Sequence, residues 1–222
     1  MRPDTKRPSR RFSIIVTAGP TREKIDPIRF ISNYSTGKFG YEIAREARRR
    51  GNRVTLISGP TALEAASGVK LINCESANDM KIALRREFEG ADILIMAGAV
   101  SDWRVQSPAK RKIKRVGDKK TLRLKKNPDI IAGLGAKKNG RVLVGFALET
   151  ENLEENALRK LRAKNLDIIV ANKLGKKGAA FGDSATSIVI IDRLGNKSNF
   201  YGKSKRRLAK IILDKILTFI YS

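Results

Sequence analysis

The chain has 222 residues, 41% of them hydrophobic, and a mean hydropathy of −0.34, as in globular proteins that bury a sizeable core. It contains no histidine and a single cysteine, Cys74, which excludes histidine-dependent nucleophilic catalysis, histidine-ligated metals and intramolecular disulfides, and fits a cytoplasmic protein. Its formal net charge of +25 fits two classes of protein, nucleic-acid binders and enzymes for anionic substrates.

Residues 1–12 are predicted to form a basic, disordered arm, and residues 13–222 a single domain. The arm lacks the apolar segment of a signal peptide. No stretch of the chain approaches the roughly 20 consecutive apolar residues of a membrane-spanning helix, so no membrane partner is expected.

The first half of the chain alternates strands and helices. β-branched apolar runs predict the strands, and apolar residues at helical spacing predict the helices, the second of them capped by Asn78. This alternation predicts an α/β fold with a Rossmann-like, doubly wound, mostly parallel sheet. The predicted elements are, in chain order, strand 12–18, helix 37–50, strands 54–58 and 69–73, helix 79–89 and strand 91–97.

The middle of the chain is its most basic part. Residues 104–126 hold eleven lysines and arginines against one acid, Asp118. Two runs that alternate basic and apolar residues, 112–116 and 121–126, flank Gly117 and Asp118 and predict a two-stranded ribbon, a candidate flap over an anionic ligand. The ribbon carries no aromatic residue, whereas single-stranded RNA is commonly bound by stacking on aromatic side chains.

The rest of the chain returns to α/β alternation and ends in a hairpin and an amphipathic helix. A short helix is predicted after Asn127 as its cap, with Pro128 at its first position. The remaining predicted elements are strand 141–146, helix 153–164, strand 166–171, a Gly/Lys-rich loop 173–184, hairpin strands 186–192 and 197–201, and helix 205–221.

Nucleotide-binding fingerprints are absent where they would be expected. The P-loop pattern and the dinucleotide Gly-x-Gly-x-x-Gly pattern do not follow the first strand. Tyr34 and Lys38 match the Tyr-x-x-x-Lys pair of short-chain dehydrogenases, but they lie in the first loop, so we interpret the match as chance. The Gly/Ser/Thr-rich loop that leads into the first helix remains a candidate phosphate site, because free backbone N–H groups there would face an anion.

Each candidate site residue also has an ordinary structural interpretation. Asn33 is either a turn residue or a donor to a carboxylate or developing oxyanion. Asp102, after the central strand, is either a helix cap or an acceptor for ribose, base or Mg²⁺. Lys112 is either a triphosphate clamp or a solvated basic residue, and Lys160 and Lys164 form a charged helix face unless that face points at the same cleft.

Six blocks of sequence, taken together, resemble the phosphopantothenate–cysteine ligases, also called phosphopantothenoylcysteine synthetases. In many bacteria this ligase is the C-terminal half of a bifunctional coenzyme A biosynthesis protein. The resemblance covers roughly residue 13 to the C-terminus. The blocks are residues 17–38, Ala-Gly-Ala-Val-Ser-Asp-Trp at 97–103, Lys-Ile-Lys at 112–114, Asn-Pro-Asp-Ile at 127–130, Gly-Phe-Ala-Leu-Glu-Thr at 145–150, and Lys-x-x-x-Lys-Asn-Leu-Asp at 160–167.

The resemblance implies a CTP- and Mg²⁺-dependent ligation of 4′-phosphopantothenate with L-cysteine through an acyl-cytidylate. It implies that Asn33 binds the reacting carboxyl group and that Lys112, on the flap, contacts the triphosphate. The other implied nucleotide-site positions are Ala97, Gly98, Asp102, Asn127, Pro128, Asp129, Ile130, Phe146, Lys160 and Lys164.

The resemblance also implies a homodimer, in which the region after the central strand reaches across the interface. A separate phosphopantothenoylcysteine decarboxylase would act next, since a flavin-dependent half is not part of this sequence. ATP in place of CTP stays open, and a basic Rossmann-like nucleic-acid-binding protein is the alternative function. The chain departs from many relatives at Pro20, Lys24, Gly98, Ser101 and Leu148.

Overall fold

The computed structural model describes residues 10–115, 117–173 and 185–222. Eight strands form its central sheet: β1 Ser13–Ala18, β4 Arg53–Ser58, β5 Lys70–Asn73, β6 Ile93–Met96, β9 Val142–Glu149, β10 Ile168–Lys173, β11 Thr186–Asp192 and β12 Lys197–Lys203. Their order in the sheet is β12-β11-β10-β9-β6-β1-β4-β5. The six that come first in the chain pair in parallel, and β11 and β12 extend the sheet as an antiparallel hairpin.

The order of the parallel strands confirms the predicted doubly wound fold. From β1 the chain moves to β4 and β5 on one side, then crosses back to β6, β9 and β10 on the other. The strand order therefore reverses between β1 and β6, which is where open α/β sheets bind their ligands, at the carboxyl ends of the strands.

Helices cover both faces of the sheet, each burying an apolar stripe. The helices are α1 Lys38–Arg49, α2 Ala77–Phe88, α3 Ile130–Gly135, α4 Leu153–Ala163 and α5 Lys205–Tyr221. One face is covered by α1 and α5, whose buried residues join one core cluster, and the other by α2, α3 and α4, whose buried residues join a second. Helix α5 buries Leu208, Ile212 and Ile216, at the four-residue spacing that the sequence predicts.

Two predicted helix caps are wrong. Helix α2 is capped by Ser76, whose hydroxyl accepts from the Asp79 N–H while the Asp79 carboxylate accepts from the Ser76 N–H, so Asn78 lies inside the helix. Helix α3 is capped by Asp129, whose Oδ1 accepts from the Ala132 N–H at 3.1 Å. In each case a nearby carboxylate or hydroxyl reaches the free N–H groups of the first turn.

The predicted basic ribbon is also wrong in its pairing. Residues 112–115 form no strand, and Val116 lies outside the described residues. The second run contributes β8 Leu124–Lys126, which pairs antiparallel with β7 Trp103–Val105. A second small ribbon joins β2 Arg22–Lys24 to β3 Phe30–Ser32. The alternation of basic and apolar residues correctly indicated that residues 124–126 are extended, but contacts with the rest of the fold determine that they pair with β7.

Other predictions fall at the limits of the described chain. Residues 1–9 of the predicted arm and residues 174–184 of the predicted loop lie outside the described residues. Phe12 is only 4% exposed and belongs to the core, so the folded part includes it. None of the helices in the described parts is long and apolar enough to cross a membrane.

Candidate active site

A cavity of about 1020 Å³ opens at the carboxyl ends of β6, β9 and β10, beside the point between β1 and β6 where the strand order reverses. Its walls are the segment between β3 and α1, the loop after β6, the segment before α3, parts of β9, β10 and α4, and the first residues of α1 and α5. The lining includes eleven of the twelve predicted site residues: Asn33, Ala97, Gly98, Asp102, Asn127, Pro128, Asp129, Ile130, Phe146, Lys160 and Lys164.

Buried hydroxyl groups lock the loops after β1 and β6 together. Thr17 Oγ1 accepts from the Gly98 N–H at 2.9 Å, and Thr21 Oγ1 accepts from the Ser101 N–H at 2.9 Å. Both threonines are fully buried. A Cβ on Gly98 would lie 3.0 Å from Thr17 Oγ1, so the glycine allows a closer approach than an alanine would. The two loops thus form one rigid floor.

Asn33 follows the β2–β3 ribbon and projects over this floor. Its Nδ2 donates to the Ala99 carbonyl at 2.9 Å, while Ser32 Oγ donates to the Thr21 carbonyl at 2.8 Å. A carboxamide has two N–H donors and one acceptor oxygen. One donor therefore orients the side chain, and the second N–H and the oxygen remain for a ligand.

The start of α1 faces the same cavity. Its N-cap is Gly37, which has φ 79° and offers no side chain to the first-turn N–H groups. A Cβ there would lie 2.7 Å from Thr61 Cγ2, so both the backbone conformation and the space require glycine. First-turn N–H groups beside the lining residues Ser35, Thr36 and Lys38 suit an anion.

The loop after β6 is braced by Asn127. Asn127 Nδ2 donates to the Ser101 carbonyl at 2.8 Å, its Oδ1 accepts from Arg104 at 2.6 Å, and its N–H donates to the Asp102 carbonyl at 2.8 Å. The side chain of Asn127 thus positions its neighbours instead of capping a helix. Asp102 itself is exposed on the cavity wall.

Lys160 and Lys164 reach the cavity from α4, and each is paired with a carboxylate. Lys160 Nζ lies 2.6 Å from Glu149 Oε1, and Lys164 Nζ lies 3.0 Å from Asp129 Oδ2. These carboxylates hold the two ammonium groups along the wall formed by α3 and α4. Phe146 lies nearby, edge-on to Phe39 with ring centroids 5.2 Å apart.

Lys112 is the predicted site residue that does not line the cavity. It is exposed, and its neighbour Ile113 is tied by its N–H to Asp26 Oδ2 at 3.1 Å and by its carbonyl to Arg29 at 3.0 Å. The segment that carries Lys112 is therefore anchored on the loop between β2 and β3.

Three lining lysines, Lys38, Lys126 and Lys205, were not among the predicted site residues, although Lys126 belongs to the run predicted as a flap over an anionic ligand. Lys205 is the least expected, since it is only 6% exposed although it begins an amphipathic helix. Burial, with a contribution from the charge of Lys38, lowers its pKa. A lysine after a serine cap gives no sequence signal of burial. Cys74, by contrast, is buried away from the cavity lining, and burial raises its pKa to about 12, so it is no nucleophile.

The fold and the cavity define a Rossmann-like protein with a basic ligand site at the switch point of its sheet. Residues 10–220 match the family described as the DNA/pantothenate metabolism flavoprotein C-terminal domain, and the chain belongs to that family.

The chain is also similar to two curated proteins and one solved structure. A cysteine/cysteine sulfinic acid decarboxylase from an unknown prokaryotic organism is 42% identical over 98% of this chain and 61% of the relative. The coenzyme A biosynthesis bifunctional protein CoaBC of Bacillus subtilis (strain 168) is 42% identical over 96% of this chain and 53% of its own length. The chain thus spans about half the length of CoaBC. A crystal structure of the C-terminal domain of CoaBC has a TM-score of 0.81 and 35% identity, covering 95% of this chain and 96% of that one.

Proposed function

We propose that this protein is a phosphopantothenate–cysteine ligase that makes phosphopantothenoylcysteine for coenzyme A biosynthesis. The observation that carries the proposal is the cavity at the switch point, where eleven predicted site residues converge on the rigid floor between β1 and β6. The similarity to the C-terminal domain of CoaBC over nearly the whole of both chains supports it.

The proposed reaction has two steps and needs no protein nucleophile. The 4′-phosphopantothenate carboxylate attacks the α-phosphorus of CTP, forming an acyl-cytidylate and releasing pyrophosphate. The amine of L-cysteine then attacks the acyl carbon, loses a proton and displaces CMP. In this scheme the second N–H of Asn33 donates to the reacting carboxyl group while Ala99 holds the carboxamide in place.

The nucleotide would bind between the loop after β6 and α4. As the nucleotide enters, the ammonium groups of Lys160 and Lys164 would turn from their carboxylate partners toward the phosphates. We also propose that Lys112 completes the triphosphate site when its exposed segment, or that of a second subunit, closes over the cavity. A separate phosphopantothenoylcysteine decarboxylase would consume the product.

Magnesium is proposed as the companion of the nucleotide. Within residues 10–115, 117–173 and 185–222, no group of three or more potential ligand side chains is arranged to hold a metal. Mg²⁺ commonly binds through one or two carboxylates together with substrate phosphates. Asp102 fits this role, because Asp129 is already engaged by Lys164 and by the start of α3. The ion would neutralise charge on the phosphates.

Pyrophosphate release is the test of this function. We expect release only when phosphopantothenate and CTP are both present, and replacement of CTP by ATP measures the nucleotide preference. Asn33→Ala should lower kcat by about 100-fold or more, in the range seen when one oxyanion donor is removed. Asn199→Ala, on the exposed face of the distant strand β12, is the matched control and should leave kcat unchanged.

Two alternative functions, nucleic-acid binding and release of CO₂ from cysteine, are tested by separate measurements. No pyrophosphate with either nucleotide would refute the ligase. The nucleic-acid alternative rests on the +25 charge and predicts salt-sensitive binding of any polyanion without such chemistry. Release of CO₂ from cysteine, the activity in the name of one relative, is measured alongside and is expected to be absent.

A further inference from the structure

Beneath the start of α1, a buried tyrosine belongs to a chain of hydroxyl groups. Tyr41 lies in the first turn of the helix and is only 6% exposed. Its hydroxyl donates to Ser58 Oγ at 3.2 Å and accepts from Thr61 Oγ1 at 3.2 Å. Ser58 Oγ donates in turn to the Gly59 carbonyl at 2.7 Å. This chain of hydrogen bonds joins α1 to the end of β4 and to the loop that follows it.

The methyl group of Thr61 packs against two turns, the one that follows β1 and the one that starts α1. A Cβ on Gly37 would lie 2.7 Å from Thr61 Cγ2, and a Cβ on Gly19 would lie 2.9 Å from the same methyl group. The turns also approach each other closely, since a Cβ on Gly37 would lie 3.1 Å from the Gly19 nitrogen. A shift of Thr61 would therefore shift Gly37, because groups packed this closely leave no free space between them.

Gly37 ends the segment that lines the cavity between β3 and α1, residues 33–37. At the other end of this segment, Asn33 Nδ2 donates to the Ala99 carbonyl at 2.9 Å. The segment is thus held at one end by the loop after β6 and at the other by its packing on Thr61. A segment held at both ends has less conformational freedom to lose when a ligand binds, which favours binding and orientation of the ligand.

We propose that Tyr41 is a positioning residue, which acts through Thr61 to hold Gly37 and so orients the segment that carries Asn33. This inference rests on the proposed function, in which Asn33 binds the reacting carboxyl group of the acid substrate. Tyr41 is not one of the described residues that line the cavity, so its hydroxyl would act on the substrate only through this packing.

Tyr41→Phe tests the proposal, because phenylalanine keeps the ring in the core and removes the hydroxyl that Ser58 and Thr61 share. The first measurement is amide hydrogen exchange without substrates. The N–H of residue 41 donates to the Gly37 carbonyl at 3.2 Å and should exchange about tenfold faster or more in the variant. The N–H groups of β6 should change less than about threefold, since the sheet itself is not altered.

The second measurement is the ligase assay. The kcat/KM for 4′-phosphopantothenate should fall about 10- to 100-fold in Tyr41→Phe, as expected when a substrate-orienting group is misplaced. The KM for the nucleotide should stay within about threefold of the wild-type value, because α4, which would hold the nucleotide, covers the other face of the sheet. Combining Tyr41→Phe with Thr61→Val should add little to either single variant, because both remove the same hydrogen bond.

Tyr201→Phe, at an exposed tyrosine of β12, is the matched control and should behave as the wild type in both measurements. If Tyr41 served the fold alone, Tyr41→Phe would lower the melting temperature and leave both the exchange at residue 41 and kcat/KM unchanged, which would overturn the proposal. Should Tyr41→Phe fail to fold, Thr61→Ser removes the methyl group beside Gly37, and unchanged exchange there is equally contrary. Exchange needs neither substrate nor turnover, so failure of the ligase assay and failure of this positioning role are separate results.

Discussion

At the scale of single residues, Asp26 joins the two segments that carry Asn33 and Lys112. It is only 2% exposed, and its Oδ1 accepts from the N–H groups of Ile28 at 2.9 Å and Arg29 at 2.8 Å. Its Oδ2 accepts from the Arg29 guanidinium and from the Ile113 N–H. The Arg29 hydrogen bonds hold the pKa of this carboxyl group well below its usual range, against the effect of burial.

Asp26→Asn should loosen the segment around Lys112. The amide keeps the shape of the side chain but replaces an acceptor oxygen with a donor, which faces the donors of Arg29 or Ile113. Loss of one charge-assisted hydrogen bond predicts that trypsin cleaves after Lys112 and Lys114 about tenfold faster or more. Asp118→Asn, an exposed change in the same basic segment, is the control. Equal cleavage rates in the two variants would contradict this role for Asp26.

At the scale of elements, α1 is fastened to α5 through Glu46 and Arg50. Glu46 is 6% exposed, and its carboxylate binds Arg49 at 2.7 Å and Arg50 at 2.9 Å, while Arg50 reaches α5. The hydrogen bond from Arg49 is the largest cause that lowers the pKa of Glu46 to about 2. This contact keeps together the two helices whose first residues line the cavity.

Glu46→Gln should destabilise the protein by about 2 kcal/mol at neutral pH, because it removes the charged acceptor that Arg49 and Arg50 share and leaves Arg50 with Asp214 as its remaining carboxylate. A lowered pKa in the folded state stabilises the fold above the unfolded value of 4.5, and this contribution is lost as the pH falls toward about 2. The wild type should therefore lose more stability than Glu46→Gln between these two values. Urea unfolding at several pH values measures the difference, and parallel pH profiles would exclude it.

At the scale of the whole molecule, the two small ribbons, β2–β3 and β7–β8, expose apolar side chains. Ile28 is 60% exposed, Phe30 44%, Trp103 47% and Leu124 45%, and strand β2 contacts β7. Apolar groups clustered in this way commonly mark a protein interface. We propose that a second copy of the chain covers them, as the family resemblance implies. The same interface would bring the exposed Lys112 segment of one subunit toward its partner.

Sedimentation should therefore give a mass of twice the 24.6 kDa of one chain. Ile28→Asp should shift the protein to monomers, because a charge would be buried in the interface without a partner. Ile82→Asp is the matched control, since Ile82 is an isoleucine of similar exposure, 57%, on α2, away from both ribbons. A wild-type monomer, or dimers of Ile28→Asp, would contradict this interface.

Much of the architecture was predictable because it is encoded locally. Apolar runs located the parallel strands to within a few residues, and the hairpin of β11 and β12 and the span of α5 were predicted almost as observed. The caps of α2 and α3 were wrong for a local reason as well. Several residues that commonly cap helices are neighbours at the start of each of these helices. Ser76 and Asp129 are the caps because their side chains accept hydrogen bonds from N–H groups of the first turn.

The amino-acid sequence by itself determined the fold class, the order of the elements and the block around Asn33. Periodicity, turn residues and motif spacing are properties of neighbouring residues, so they can be interpreted without the tertiary structure. Only the tertiary structure decided that β8 pairs with β7, that Lys112 lies outside the cavity while Lys205 is buried in it, and that Lys160 and Lys164 are held by carboxylates. These outcomes depend on contacts between distant segments, where many basic residues compete for few acids, and packing selects the partners.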